Sequence, residues 1–90
     1  MFFLRRTIMN RRVGFVGIIV KERSKAGELV NRILSAHGDM IVGRMGVPYR
    51  DRKCSVITLI VDATTDDVGT LTGKLGMIPD VSVKSALSSI

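Results

Sequence analysis

The residues best suited to chemistry lie in one short stretch, from position 43 to position 50, with a second pair near position 73. Arg44 carries a planar guanidinium, which can hold a carboxylate or a phosphate through two parallel hydrogen bonds. Tyr49 and Arg50 add an amphipathic ring and another cation. The glycines would let a ligand or a partner approach the backbone closely. The candidate ligand- or partner-binding residues are Gly43, Arg44, Met45, Gly46, Pro48, Tyr49, Arg50, Gly73 and Lys74.

The same stretch has a second interpretation, in which its residues are structural. Gly43 and Gly46 interrupt a segment that favours β structure, and Pro48 requires a bulge or an edge strand because it lacks a backbone N–H. A bulged strand would explain all three residues, with its arginines solvated or paired across a dimer. The sequence leaves both interpretations open.

Catalytic and metal chemistry have few candidate residues. His37 is the single histidine and Cys54 the single cysteine, and nothing in the sequence places them together. A metal site within one subunit would need further ligands, and the carboxylates are scattered apart from Asp66 and Asp67 at a predicted helix start. The phosphate-loop pattern GxxxxGK(S/T) does not occur. We predict no catalytic residue, no metal site and no enzyme activity, and any cofactor is unknown.

Length and composition indicate one small domain without a membrane segment. A chain of 90 residues buries only roughly 60–65% of its unfolded surface, so self-association would support the fold. No apolar run approaches the roughly 20 residues that a membrane span requires. The single cysteine fits a reducing compartment, and we predict a cytoplasmic protein that does not bind a membrane.

The net charge of +6 is concentrated before the first predicted strand. Arg5, Arg6, Arg11 and Arg12 are four of the 14 basic residues, so ten remain beside the 8 acidic residues. We expect residues 1–11 to form a disordered extension, residues 12–87 a single domain, and residues 88–90 a frayed tail. Nucleic-acid binding through the basic extension is a less favoured alternative, because the domain itself lacks a clustered basic face.

The elements that must position the candidate residues alternate between the strand and helix periods. We predict strands over residues 13–20, 40–49, 55–61 and 81–87, and helices over residues 25–37 and 64–75. Ser24 and a capping box of Thr64 and Asp67 begin the helices, and Gly38 ends the first one as a C′ glycine.

Two features of the helices predict how they pack. The first helix has one apolar face, formed by Ala26, Leu29, Val30, Ile33 and Leu34. In the second helix, Gly69 and Gly73 lie four residues apart on one face. Because glycine weakens a helix by about 1 kcal/mol relative to alanine, we expect close contact with the sheet to compensate at these two positions.

The order strand, helix, strand, strand, helix, strand predicts an α+β protein with a ferredoxin-like βαββαβ fold. This fold has a four-stranded antiparallel sheet with both helices on one face. We expect the long hairpin of residues 38–63 to form the centre of the sheet. Whichever set of strand residues points away from the helices is largely apolar, and pairing of two subunits would cover it. The sequence therefore predicts a homodimer or a higher homo-oligomer.

Five segments together resemble a known family. They are IVGRMGVPYR at 41–50, SVI and VDA at 55–57 and 61–63, LTGKLGM at 71–77, and VSVK at 81–84. With these motifs, residues 12–86 resemble the iron-only hydrogenase system regulators. The resemblance implies an ACT-like ferredoxin fold, similar to the C-terminal domain of the nickel-responsive repressor NikR. The chain departs from NikR because it has neither a ribbon-helix-helix DNA-binding domain nor the histidine cluster of a nickel site.

The resemblance implies a cytoplasmic, oligomeric protein with a regulatory or ligand-sensing role. We predict a non-enzymatic module that binds a small anionic metabolite or a partner at an oligomer interface, linked to the expression or maturation of iron-only hydrogenase. Transcriptional regulation would require a DNA-binding protein partner, and a hydrogenase-maturation protein is the other candidate partner. An adaptor that binds proteins without a small ligand is the alternative.

Overall fold

The computed structural model describes residues 10–21 and 25–90, which form four strands and two helices. In chain order the elements are β1 (Arg12–Lys21), α1 (Ala26–Ala36), β2 (Ile41–Tyr49), β3 (Cys54–Ala63), α2 (Thr65–Gly76) and β4 (Val81–Leu87). Short 3-10 helices, Gly38–Met40 and Arg50–Arg52, lead into β2 and connect it to β3. The predicted α+β class and βαββαβ order are confirmed.

The four strands form one antiparallel sheet in the order β2-β3-β1-β4. The central strands β1 and β3 pair from Arg12 with Ala63 to Lys21 with Cys54. The prediction that the β2–β3 hairpin forms the centre of the sheet is wrong for β2, which lies at an edge. The reason is that β1 pairs with both β3 and β4, which leaves β3 as the one neighbour of β2 among the described strands.

The core lies between the central strands and the two helices, on one face of the sheet. Alternate residues of β1 and β3 point to this covered face, and residues three or four apart point to it from the helices. The buried apolar side chains are Val16, Ile18 and Val20 in β1, Leu59, Val61 and Ala63 in β3, Ala26, Val30 and Leu34 in α1, Val68, Leu71 and Leu75 in α2, and Met40 and Ile78 in the connections.

The apolar face of α1 is narrower than the sequence predicted. Leu29 is 40% exposed, whereas Ala26, Val30 and Leu34 are buried. The buried residues lie four apart along one line of the helix, and Ile33 packs partly against this line. Leu29 therefore lies on the margin of this face.

The end of α1 also differs from the prediction. Gly38 is not a left-handed C′ glycine, because no described glycine has a positive φ. The His37 N–H bonds to carbonyls of the last turn instead, and the chain tightens into the 3-10 helix that buries Met40. The predicted cap, Ser24, lies outside the described residues.

The predicted Thr64 cap at the start of α2 is confirmed, whereas the predicted packing role of the glycines in α2 is not. The hydroxyl oxygen of Thr64 accepts a hydrogen bond of 3.1 Å from the N–H of Asp67, which satisfies one of the free amides of the first turn. The expected close contact of Gly69 and Gly73 with the sheet is wrong, because a Cβ at either position would meet no atom within 4 Å. Both glycines lie on the exposed side of α2.

Both ends of the described chain are held against β1 and β3. Arg11, which was predicted to lie in the extension, donates to the carbonyl oxygen of Asp62 at 2.7 and 3.2 Å. The residues of the predicted tail are hydrogen-bonded to β1, since the Ser88 N–H donates to the Val13 oxygen at 2.9 Å and the Val13 N–H donates to the Ile90 oxygen at 3.0 Å. The rest of the predicted extension, residues 1–9, lies outside the described residues.

Candidate functional site

The candidate stretch forms β2, and its glycine and proline positions follow from the place of this strand at the sheet edge. Pro48 pairs with Ser55, and an edge strand tolerates a residue without an N–H. The register shifts between Ile41 and Gly43, so Val42 forms a β-bulge and its side chain is exposed. The bulge and the edge position that the structural interpretation required are therefore both present.

Arg44 lies on the helix side of β2. It pairs with the buried Leu59, and its Nη2 donates a hydrogen bond of 3.1 Å to Oδ1 of Asn31 in α1. This contact holds the guanidinium against α1 in one orientation, while the other N–H groups of the fork remain suitable for an anion. Arg44 thus presents an exposed, oriented cation where the edge strand meets α1.

Met45 and Tyr49 lie on the other side of β2, which faces away from the helices. They pair with Thr58 and Cys54, which lie outside the buried core. Arg44 and Tyr49 are five positions apart, which is about 17 Å along an extended strand, and their side chains point to opposite faces. Both side chains of one subunit cannot contact the same small ligand.

Lys74 lies in the last turn of α2, beside the end of α1. Its Nζ is 3.3 Å from Nε2 of His37. Because an ammonium group donates and cannot accept, Lys74 is the donor in this contact and Nε2 of His37 is the acceptor. The pair joins the two helices rather than a helix to β2.

The predicted site residues therefore occupy several separate places. Gly43, Met45 and Tyr49 are on the open side of β2, Arg44, Gly46 and Pro48 on its helix side, Arg50 in the following turn, and Gly73 and Lys74 on α2. One subunit does not bring these residues together into one pocket within the described part of the chain. A site that combines them would need a second subunit.

The turn between β2 and β3 is densely charged. Arg50, Asp51, Arg52 and Lys53 are all exposed, and the Lys53 N–H closes the turn on the Arg50 oxygen at 3.1 Å. Lys53 has a φ of 51°, a left-handed conformation that costs an L-residue about 1–2 kcal/mol. The tip of the hairpin is thus a positively charged, conformationally strained turn.

The face of the sheet that lies opposite the helices, which we term the open face, includes the candidates Gly43, Met45 and Tyr49 and several apolar residues that the sequence did not single out. Its exposed apolar residues are Val13, Phe15, Ile19, Met45, Val47, Tyr49 and Ile60. An apolar groove of about 570 Å³ lies where β1 meets the end of β4, and Phe15, Ile60 and Leu87 contribute to its walls. Both alternate sets of residues in β1 and β3 are largely apolar, and this pattern was the sequence signal for an apolar open face. The pattern could not show which of the two sets would be exposed.

Groups that could support catalysis or metal binding are separated. Cys54 is a half-buried free thiol that pairs across the sheet with Tyr49 and Lys21, whereas His37 contacts Lys74. Within residues 10–21 and 25–90, no three or more His, Cys, Asp or Glu side chains come together as metal ligands. None of the helices in these ranges has the length and apolar character needed to cross a membrane.

Comparison with known proteins identifies a related family. The model of the TM1266-like family, described as an iron-only hydrogenase system regulator, matches residues 12–85. The solved structure of the uncharacterized protein TM1266 from Thermotoga maritima has 35% sequence identity and a TM-score of 0.82, over 86% of this chain and 96% of that chain. No curated protein matches the chain.

Two more distant structures are similar in fold alone. The ACT domain from the GTP pyrophosphokinase of Chlorobium tepidum has a TM-score of 0.67 and 17% identity, over 84% of this chain and 99% of that chain. The C-terminal domain of the MgtC protein from Mycobacterium tuberculosis has a TM-score of 0.69 and 16% identity, over 88% and 89% of the two chains. The predicted ACT-like ferredoxin fold is confirmed.

Proposed function

Because the chain belongs to the TM1266-like family of iron-only hydrogenase system regulators, we propose that it is a non-enzymatic regulatory module that works as a homo-oligomer in the cytoplasm. The observation that carries this proposal is the open face, which exposes apolar side chains from three of its strands. An apolar surface of this kind marks an interaction site. In a chain that belongs to a regulator family, such a surface is a means of coupling subunits.

The signal in this proposal is a small anionic ligand that binds at the rim of the oligomer interface, with Arg44, on the helix side of β2, as its main contact. The hydrogen bond from Arg44 to Asn31 supports this role, because an oriented guanidinium loses less conformational freedom when it binds an anion. Tyr49 of the partner subunit would supply a further polar contact, as would Arg50 and Lys74 of either subunit.

Three glycines would let the ligand or the neighbouring subunit approach the backbone in this proposal. A Cβ at Gly43 or at Gly73 would meet no atom within 4 Å, and one at Gly46 would meet only a side-chain carbon of Ile57 at 3.9 Å. The space outside these positions is open within the subunit. A larger side chain there would therefore block an incoming group without disturbing the subunit itself.

The substitution Arg44→Ala tests the ligand contact. Thermal unfolding would be followed with a panel of carboxylates, inorganic phosphate, nucleotides and amino acids, since a ligand at about 100 times its Kd stabilises the folded state by about 2.7 kcal/mol. We expect Arg44→Ala to abolish the rise in Tm while the circular dichroism spectrum and the oligomeric state stay unchanged.

Arg52→Ala is the matched control, because Arg52 is an exposed arginine in the turn of the same hairpin. It should keep the full rise in Tm. The assignment of Arg44 is wrong if Arg44→Ala keeps the same rise as the wild-type protein.

A second candidate function is an adaptor that binds a protein and no small ligand. It is favoured by the exposed edge of β2, because an edge strand can pair with a strand of a partner protein. The expected partner would be a hydrogenase-maturation protein or a DNA-binding protein. Native mass spectrometry of the purified protein would report its subunit number and any co-purified molecule. The adaptor would be favoured if no compound of the ligand panel raised the Tm and a purified maturation protein formed a complex with this protein.

A further inference from the structure

The residues at the middle of the open face form two neighbouring rows that cross all four strands. In strand order from β2 to β4, the first row is Gly43, Ile60, Phe15 and Ala86, and the second row is Met45, Thr58, Gly17 and Lys84. Both rows point away from the helices, because the residues between them in β1 and β3, Val16 and Leu59, are buried under the helices.

Each strand places one large and one small side chain in these two rows. In β1 the large residue is Phe15, which is 57% exposed, and the small one is Gly17. In β2 the large residue is Met45, which is 66% exposed, and the small one is Gly43. The same alternation occurs as Ile60 and Thr58 in β3 and, in reverse order, as Ala86 and Lys84 in β4.

This arrangement is complementary to itself. If a second copy faces the sheet across a two-fold axis that runs between the two rows, perpendicular to the strands, the first row of each copy lies opposite the second row of the other. Phe15 then lies over the partner's Gly17, and Met45 lies over the partner's Gly43. In every strand a large side chain meets a small one, as an interface between identical surfaces requires.

The two glycines leave real space for the incoming side chains. The nearest atom to a Cβ at Gly17 would be the Lys84 oxygen at 4.0 Å, and a Cβ at Gly43 would meet nothing within 4 Å. Lys84 can extend its aliphatic stem over the partner's Ala86 and keep its ammonium group at the rim. No charged residue other than Lys84 lies in the two rows, so the middle of the interface buries little charge.

The size of the open face also suits a second copy. Four strands at a spacing of about 4.8 Å, with seven to ten residues each at about 3.4 Å per residue, give a flat area of about 590 Å² per subunit. Stable interfaces bury about 600–1,000 Å² per partner, so this area is close to the lower end of that range. Two sheets packed face to face at about 10 Å, with their strands within about 30° of each other, are a common arrangement.

We propose that the open face binds a second copy of this chain about a two-fold axis, with Phe15 of each subunit seated on Gly17 of the other and Met45 seated on Gly43. The inference deepens the proposed homo-oligomer by specifying its interface, and it does not depend on the anionic ligand. It also gives Gly43 and Met45 a role in subunit contact rather than in ligand contact.

The test exchanges the large and small residues of β1. Gly17→Phe places two phenylalanines opposite each other, and Phe15→Gly leaves two hollows opposite each other, so each variant alone should dimerise more weakly by on the order of a hundredfold in Kd. An equimolar mixture restores a phenylalanine over a glycine at both contacts. The mixture should therefore form a heterodimer with near wild-type affinity.

Sedimentation equilibrium would give the dissociation constants, and native mass spectrometry would separate the heterodimer from both homodimers by mass. Circular dichroism and thermal unfolding would show that each variant is folded, and the pairing of the mixture itself requires folded chains. Gly69→Phe, at an exposed position of α2 where a Cβ meets nothing within 4 Å, is the control for adding a phenylalanine outside the open face. It should dimerise like the wild-type protein.

Three results would overturn this interface. If Gly17→Phe retains wild-type association, or if the mixture associates no better than its components, the contact of Phe15 with Gly17 is excluded but the proposed homo-oligomer remains in place. A wild-type protein that is monomeric at high micromolar concentration would overturn both this interface and the homo-oligomer.

Discussion

The two faces of the sheet have similar apolar content and different roles. On the helix side, Val16, Ile18 and Val20 of β1 are buried, while on the open face Phe15 and Ile19 of the same strand are about half exposed. Apolar character alone therefore does not define the core of this domain. The covered face stabilises the subunit, and the open face, in our proposal, joins one subunit to another.

The two faces should respond differently to the loss of the same kind of side chain. Leu59 is 0% exposed on the covered face and Ile60 is 50% exposed on the open face, one position apart in β3. Leu59→Ala should lower the free energy of unfolding by about 2–5 kcal/mol, because it leaves a cavity in the core. Urea unfolding followed by circular dichroism would measure this loss.

Ile60→Ala is the matched control for Leu59→Ala. Its loss of stability should be much smaller and should depend on protein concentration, because an open-face residue contributes to the subunit contact. A loss from Ile60→Ala that equals that of Leu59→Ala at every protein concentration would show that the open face belongs to the core of the subunit.

Substitutions at two glycines of β1 should give the next largest difference in the free energy of unfolding. A Cβ at Gly14 would lie 2.2 Å from the Ala86 oxygen and 2.6 Å from Cδ2 of Leu87, whereas one at Gly17 would meet only the Lys84 oxygen at 4.0 Å. Gly14→Ala should lower the free energy of unfolding by about 1–3 kcal/mol, since β4 must move away. Thermal unfolding at low protein concentration would measure it.

Gly17→Ala serves as the comparison for Gly14→Ala. It should leave the unfolding free energy of the monomer unchanged or raise it by up to about 1 kcal/mol, because alanine restricts the unfolded chain more than glycine does. Equal losses from the two substitutions would contradict the difference in packing between the two positions.

The smallest effect on the free energy of unfolding is expected in the turn between β2 and β3, outside both faces of the sheet. Lys53 has a φ of 51°, and Lys53→Gly should raise the free energy of unfolding by about 0.5–1 kcal/mol, because glycine adopts this conformation without a steric penalty. Arg52→Gly, in the 3-10 helix of the same turn, should lower it instead. Chemical denaturation of both variants would show whether the gain is specific to the left-handed position.

Much of the fold could be predicted from local patterns. The apolar periods of the strands and helices gave their order, and the Thr64 cap and the boundaries of β4 agree with the structure. The motifs around Arg44 and Lys74 led to the family that the comparison confirms over residues 12–85. The wrong predictions concern positions whose surroundings depend on residues that are distant in the sequence. Examples are the exposed Leu29 and the open space at Gly69 and Gly73.

The candidate site could not be predicted in the same way. The sequence grouped Arg44, Tyr49 and Lys74 because their chemical types suit an anion, but strand alternation places Arg44 and Tyr49 on opposite faces and the fold places Lys74 beside His37. Neither Phe15 nor Gly17 has a polar group that would mark a binding site. Their significance depends on which side of β1 the helices cover.

The sequence by itself determined the succession of elements, the family and the presence of two apolar strand faces, because these depend on residues close together along the chain. The tertiary structure decided which face the helices cover, that β2 lies at an edge, and that large and small residues of four strands form two adjoining rows. Those features depend on the register between strands, which sets residues far apart in sequence side by side.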